Sequence, residues 1–187
     1  LAYVAAVLEA NDYDVTIVDL NARQNEQIIT DRHWDIVGIT FDTTRYYKGM
    51  KYSRMLKAKG TKVVVGGPHV RFMAEEILRN GSADFVVRGE GEYTMLELLN
   101  ALKAGSDLGH IRGLSYLYDN QIIHNDDRIY SQDLVPPPVP SRHLLDMDKY
   151  RTSLLGTRSI TSVLTSRGCP YQCSFCASSK MDGTYWR

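Results

Sequence analysis

Residues 61–105 read TKVVVGGPHVRFMAEEILRNGSADFVVRGEGEYTMLELLNALKAG. Lys62 to Val65 reads as a strand. It ends at Gly66-Gly67-Pro68-His69, a cluster of turn residues. Phe72 to Arg79 has helical character and is stopped by Asn80-Gly81. Asp84 to Val87 is a second strand, ending at Arg88-Gly89-Glu90-Gly91-Glu92. A helix follows, with Met95, Leu98, Leu99 and Leu102 on one face and Gly105 as its stop. Strands alternating with helices predict a parallel sheet covered on both faces.

The same alternation extends upstream. Leu1 to Ala10 carries apolar residues at Leu1, Val4, Ala5 and Leu8, one helical face. Asn11-Asp12 breaks it, and Val15-Thr16-Ile17-Val18 reads as a strand. Helical character returns from Asn25 to Arg32. Asp35 to Thr40 is a short apolar run, suited to a buried parallel strand, and Tyr46 to Lys59 is a helix with Gly60 as its stop. Four strands are predicted, and the opening helix has no strand before it. The expected fold is therefore α/β, a doubly wound parallel sheet whose first strand is missing. The opening residue is Leu1 and not Met, which fits material missing upstream.

Downstream, Leu114 to Tyr118 and Gln121 to His124 read as a hairpin turning at Asp119-Asn120 and appended to the domain. Leu134 to Pro140 contains three consecutive prolines, which rule out helix and sheet interior. Ser159 to Thr165 reads as a new strand. The expected organisation is a first domain with its hairpin over 1–133, a proline-rich linker over 134–158, and the beginning of a second domain over 159–187.

Lys plus Arg and Asp plus Glu both number 22, so the formal charge is zero. That balance gives no electrostatic case for nucleic acid or an anionic membrane. No apolar run approaches the ~20 residues of a membrane span, and no secretory signal is visible. The three cysteines, Cys169, Cys173 and Cys176, lie close together near the end. An odd, clustered set is a poor disulfide framework and a good metal set in a reducing compartment, so the cytoplasm is expected.

The cysteines stand in Arg167-Gly168-Cys169-Pro170-Tyr171-Gln172-Cys173-Ser174-Phe175-Cys176. Thiolates are soft ligands suited to iron–sulfur clusters and zinc. A cubane cluster usually takes four cysteines, so three from one loop leave one iron open to an exogenous ligand. Zinc would want a fourth protein ligand. No cysteine or histidine follows Cys176, and the nearest upstream histidine is His143. Three buried thiols without a metal are the other reading.

The C-x3-C-x2-C spacing, after a strand and with an aromatic before the last cysteine, resembles the radical S-adenosylmethionine (SAM) superfamily. The resemblance implies that Cys169, Cys173 and Cys176 each bind one iron of a 4Fe–4S cluster. SAM would chelate the fourth iron and be cleaved by an electron from the cluster to a 5′-deoxyadenosyl radical. Phe175 matches the family's aromatic position, whose backbone faces the adenine. An electron donor of flavodoxin or ferredoxin type and a small-molecule substrate are implied as partners.

In doubly wound sheets, ligands bind beyond the carboxyl ends of the strands. Three segments fall there: Thr40-Phe41-Asp42-Thr43-Thr44, Gly66-Gly67-Pro68-His69 and Arg88-Gly89-Glu90-Gly91-Glu92. Together with LAYVAAVLEA, VVVGGPHV and VVRGEGEYTMLELL they resemble the flavodoxin-like, Rossmann-like cobalamin-binding domain found before many radical SAM barrels. That family includes methyltransferases and the anaerobic magnesium-protoporphyrin monomethyl ester cyclase. The resemblance implies cobalamin near Thr40, Asp42, Gly66, Gly67, Gly89, Glu90, Gly91 and Glu92. Thr40-Phe41-Asp42 departs from the family's usual Ser-x-Leu. The family's cobalt-ligating histidine would precede Leu1, so His69 is expected to be non-ligating.

Each segment also has a plainer reading. The double glycine serves as a tight turn, and the glutamates favour the positive N-terminus of the next helix. The function implied is a cobalamin-dependent radical SAM enzyme, performing methyl transfer or oxidative cyclisation. A radical SAM protein whose first domain only binds substrate or a partner is an alternative, and so is a non-catalytic cobalamin or nucleotide module. A receiver domain would need a lysine after the fifth strand, where Arg88 stands. With only one barrel strand expected, the 187-residue piece is expected to be inactive. Its last segment is expected to be disordered, folded back on the first domain or paired with a second copy.

Overall fold

The computed structural model describes residues 1–22, 26–129, 138–151 and 159–187. Helix α1 (Ala2–Glu9) opens the chain and α2 (Gln27–Asp31) follows. Strand β1 (Ile36–Thr40), helix α3 (Tyr46–Ala58), strand β2 (Lys62–Gly66), helix α4 (Val70–Arg79), strand β3 (Phe85–Val87) and helix α5 (Gly91–Ala104) then alternate. Strands β4 (Leu114–Tyr118) and β5 (Gln121–His124) complete the sheet, and a short helix, α6 (Ser178–Asp182), lies near the end.

The sheet runs in the order β1-β2-β3-β4-β5. Strands β1, β2 and β3 are parallel, in register Thr40 to Gly66 and Val65 to Val86. The hairpin is more than an appendage. β4 pairs antiparallel with β3, Val87 against Leu114, and extends the sheet. The sheet is therefore mixed where the sequence suggested a parallel one. The turn Asp119-Asn120 has φ of 47° and 60°, the left-handed pair that a two-residue hairpin needs.

Alternation of side chains across the sheet builds two cores. On one face Val63, Val65 and Val86 pack with Met50 and Leu56 of α3 and Ile77 and Leu78 of α4. On the other, Val64, Phe85 and Val87 pack with Leu8 of α1 and Leu98 of α5. Val63, Val64 and Val65 are all at most 3% exposed, which explains why β2 reads as an unbroken apolar run.

Two predicted strands are absent. Val15 to Val18 makes no ladder, although Ile17 is buried and Tyr13 and Val15 pack near Ile36. The alternating burial of a strand is present, but no neighbouring strand is paired to it among the described residues. Ser159 to Thr165 is likewise unpaired beyond a single antiparallel bridge from Ser159 to Arg151. Val163 and Leu164 are exposed, so neither face of that segment meets a sheet that would hold it. The linker prolines Pro136 and Pro137, and Asn25 at the predicted start of α2, lie outside the described residues. No helix among the described residues is long and apolar enough to cross a membrane.

The two-core arrangement makes a simple expectation. Leu98 is 0% exposed, so Leu98→Ala should cost about 2–5 kcal/mol through lost contacts and a residual cavity. Leu117, 47% exposed on β4, should cost less than about 1 kcal/mol when truncated. Urea denaturation of the two variants checks this, and equal midpoints would contradict the assignment of α5 to the core.

Candidate functional site

The carboxyl ends of β1, β2 and β3 lie side by side, because parallel pairing puts them on one edge of the sheet. Thr40 is the β1 partner of Gly66. Gly67 follows with φ of +105°, and a Cβ there would come within 2.6 Å of Thr40 Oγ1 and 2.9 Å of the Phe41 carbonyl. Both the backbone angle and the close approach require glycine. Gly66 differs. A Cβ on it would meet only Val87, whose carbonyl oxygen is 3.5 Å away, an ordinary contact. Protein packing does not demand a glycine at 66. Its bare backbone leaves this strand end open to a large flat ligand.

Thr40 is exposed, while Asp42 is committed to the local turn. Its carboxylate accepts from the Thr44 hydroxyl at 2.6 Å and the Arg45 backbone N–H at 3.1 Å, and pairs with the Arg45 guanidinium. These contacts, the Thr44 hydrogen bond foremost, hold its carboxyl below the usual range. Asp42 thus caps the 3-10 turn Thr43–Arg45, a role a short acidic side chain fills at such positions. His69 Nδ1 lies 3.1 Å from Thr43 Oγ1, and its ring sits 4.8 Å from that of Tyr46. Those two neighbours account for its placement.

The third segment is the most heavily engaged. Gly89 has φ of +77°, and Arg88 before it pairs with Asp127 at 2.5 Å. Glu92, 8% exposed, faces Arg167 Nη2 at 2.8 Å, and Glu90 faces Arg167 Nη1 at 3.2 Å. Glu90 also pairs with Arg187. The Arg167 guanidinium lies 5.2 Å from the Tyr3 ring centroid, within cation–π range. Burial works against the charge on Arg167, but the Glu92 and Glu90 carboxylates prevail and raise its pKa. Gly91 packs closely, since a Cβ there would stand 3.3 Å from Val87 Cγ1.

The cysteine loop therefore begins at this strand edge. Cys169 is half-buried and its N–H donates to the Gly183 carbonyl at 3.2 Å. Cys173 and Cys176 are exposed, joined by a hydrogen bond from the Cys176 N–H to the Cys173 carbonyl at 3.1 Å. All three are free thiols. Hydrogen bonding by Ser178 lowers the Cys176 pKa, which favours the thiolate that binds metals. Phe175 is 92% exposed. Among the described residues no three histidine, cysteine or acidic side chains converge on one point. The donor chemistry of three neighbouring thiols fits an iron–sulfur cluster.

Beside the third segment lies an open cleft of about 280 Å³, lined by Arg71, Phe72, Arg88, Asp127, Ser179 and Lys180. Arg71 reaches Asp127 at 3.0 Å. Neither Arg71 nor Asp127 stands out in the sequence, because their pairing spans two elements and follows no spacing rule. The partners of Glu90 and Glu92 were hidden for the same reason.

Comparison with known proteins adds to this geometry. The B12 binding domain family matches residues 1–99. An uncharacterized methyltransferase of Pyrococcus horikoshii is 39% identical over 100% of this chain and 42% of its own length. The anaerobic magnesium-protoporphyrin IX monomethyl ester cyclase of Rubrivivax gelatinosus is 32% identical over 100% of this chain and 35% of its own. Among solved structures, the cobalamin-dependent SAM radical enzyme OxsB, with aqua-cobalamin and SAM bound, superposes with a TM-score of 0.81. It is 23% identical, covering 100% of this chain and 26% of that one. The radical SAM methyltransferase TsrM of Kitasatospora setae has a TM-score of 0.73 at 20% identity, over 100% of this chain and 39% of that one. At those identities the likeness is one of fold. The chain spans less than half the length of these relatives. With more than half of its residues matched, the chain belongs to the B12 binding domain family.

Proposed function

We propose that this chain is the N-terminal part of a cobalamin-dependent radical SAM enzyme that carries out methyl transfer or oxidative cyclisation, with a tetrapyrrole as the leading substrate class. The observation that carries the reading is the meeting of two features at one sheet edge. These are the open strand end at Gly66 and a C-x3-C-x2-C loop anchored beside it through Arg167. The methyltransferase and porphyrin-cyclase names of the relatives support the reaction classes.

In this reading Cys169, Cys173 and Cys176 hold a 4Fe–4S cluster, and Phe175 lies next to the adenine of SAM. Thr40, Gly66, Gly67, Gly89 and Gly91 border cobalamin, while the carboxylates of Glu90 and Glu92 face Arg167. When bound, the cluster supplies the electron that cleaves SAM, and the corrinoid supplies a carrier for the transferred carbon. The chain's own residues do the rest. Thr40 offers a hydroxyl that both donates and accepts. Gly67 draws the ends of β1 and β2 together. The Ser178 hydroxyl favours the thiolate of Cys176. Asp42 keeps the 43–45 turn closed and stays off the ligand. The electron comes from a small donor of flavodoxin or ferredoxin type, in the cytoplasm.

Two measurements on the full-length protein test this. Anaerobic reconstitution should yield a 4Fe–4S cluster whose EPR spectrum changes when SAM is added, and Cys173→Ala should abolish that change. Stoichiometric zinc in place of iron would sink the radical assignment. Separately, Gly66→Leu should weaken hydroxocobalamin binding by at least about tenfold, or ~1.4 kcal/mol, with little change in melting temperature. Gly67→Ala is the contrasting variant. Its strained backbone should cost about 1–3 kcal/mol of stability, visible in urea denaturation. Unaltered corrinoid affinity in a folded Gly66→Leu protein would move the cobalamin site elsewhere.

A further inference from the structure

The GEGE stretch that leads into α5 is more than a strand-end turn. Four charged side chains meet there, two glutamates at the start of α5 and two arginines from residues 167–187, and they neutralise one another. Arg167 bridges Glu92 at 2.8 Å and Glu90 at 3.2 Å, and Arg187 pairs with Glu90. The side chains are well buried: 13% exposed for Arg167, 10% for Glu92 and 3% for Arg187. Surface ion pairs contribute little, but removing one member of a buried set leaves an uncompensated charge and is costly. These pairs are of the second kind.

The two arginines are also tied to each other. The Arg167 N–H donates to the Arg187 carbonyl at 2.8 Å, and the Arg187 N–H donates back at 3.0 Å. The Cys169 N–H reaches the Gly183 carbonyl at 3.2 Å. Residues 167–169 and 183–187 thus lie antiparallel, closing the cysteine loop into a ring at its base. Gly168, with φ of +84°, lies against that return segment, and a Cβ on it would collide with the Tyr185 carbonyl. The motif Arg167-Gly168-Cys169 therefore has a physical reason at each position. Its arginine seats on the first domain, its glycine lets the return segment close, and its cysteine is the first thiol of the loop.

We infer that Glu90 and Glu92 form a carboxylate socket that seats the arginine pair Arg167 and Arg187, fixing the base of the cysteine loop against the carboxyl end of β3. In this assignment Glu92, Glu90, Arg167 and Arg187 are positioning residues. They touch neither SAM nor the corrinoid; they set the distance between the loop that holds the thiols and the strand ends beside it. The inference rests on the reading given under Proposed function for what the loop holds, but not for the seating itself. The socket also revises the expected role of Glu90 and Glu92, whose carboxylates face guanidinium groups where cofactor contacts were expected. Guanidinium suits the task, since its fork can engage two carboxylates at once and it stays charged throughout the physiological range.

The test is amide hydrogen exchange on the cofactor-free full chain, comparing wild type with Glu92→Gln, Arg167→Gln and the double variant. Each single change should raise exchange at least about tenfold across 167–170 while the amides of β2 and α5 keep their protection. The double variant should be no faster than the worse single one, because both remove the same contact. Unchanged exchange in Arg167→Gln, or an additive double variant, would overturn the socket. Arg167 lies outside both cores, so Arg167→Gln keeps the test open if Glu92→Gln fails to fold. In full-length reconstituted protein, Arg167→Gln should take up iron as wild type does yet lose most of the SAM-induced change in the cluster's EPR spectrum. A full SAM response in that variant would refute a positioning role. Absence of any cluster in wild type would refute the functional reading and leave the exchange result standing.

Discussion

A strand that presents apolar side chains in both directions has to be covered on both sides, and β2 is such a strand. Val63 and Val65 face one core, Val64 the other, and none of the three meets solvent. Burying them at roughly 25 cal/mol per Å² of apolar surface requires α3 and α4 on one face and α1 and α5 on the other. Helices on both faces force the crossovers, the crossovers force β1, β2 and β3 to run parallel, and parallel strands bring their carboxyl ends to one edge. The site at Thr40, Gly66 and Glu92 is therefore a consequence of how Val63-Val64-Val65 is buried.

The same logic explains what could be read from the sequence. β2, β3 and the helices α3, α4 and α5 announce themselves by local pattern, since the spacing of apolar residues along each element marks the face it will bury. Gly67 is legible as a turn, though the reason only glycine serves, its approach to Thr40 and Phe41, is a tertiary contact. Val15 to Val18 and Ser159 to Thr165 mislead for one reason. A strand is a relation between two segments, and β-propensity reports only one of them. Ile17 keeps the inward-facing position of a strand without the ladder. The hairpin at Asp119-Asn120 was legible in its turn, but its docking onto β3 depends on Leu114 meeting Val87, a pairing no local pattern encodes.

Charge was the least legible feature. Glu90 precedes α5 and Glu92 stands in its first turn, where acidic residues are favoured by the helix dipole alone, so their presence has a sufficient local explanation. Their partners lie more than seventy residues away, at Arg167, and further still at Arg187. Asp42, by contrast, stands in the corresponding place after β1 and spends its carboxylate on Thr44 and Arg45. The two acidic segments at the sheet edge thus do opposite things: one closes a turn on itself, the other holds a distant loop.

That difference bears on how a one-electron centre and a corrinoid could work together. In the proposed reading both lie at the same sheet edge, and a reaction that passes between them would need a fixed separation. Loops are ordinarily the mobile parts of a fold, and Phe175, Tyr171 and two of the three cysteine side chains are exposed to solvent. Apolar packing cannot hold such a loop, because its side chains must stay free to meet ligands. Paired charges at its base can. The Arg167 and Arg187 contacts hold residues 167–169 and 183–187 while leaving 170–177 free of the cores. A firm base with an open tip would suit, in the proposed reading, a loop that gathers three thiols around a cluster while keeping its place beside the strand ends.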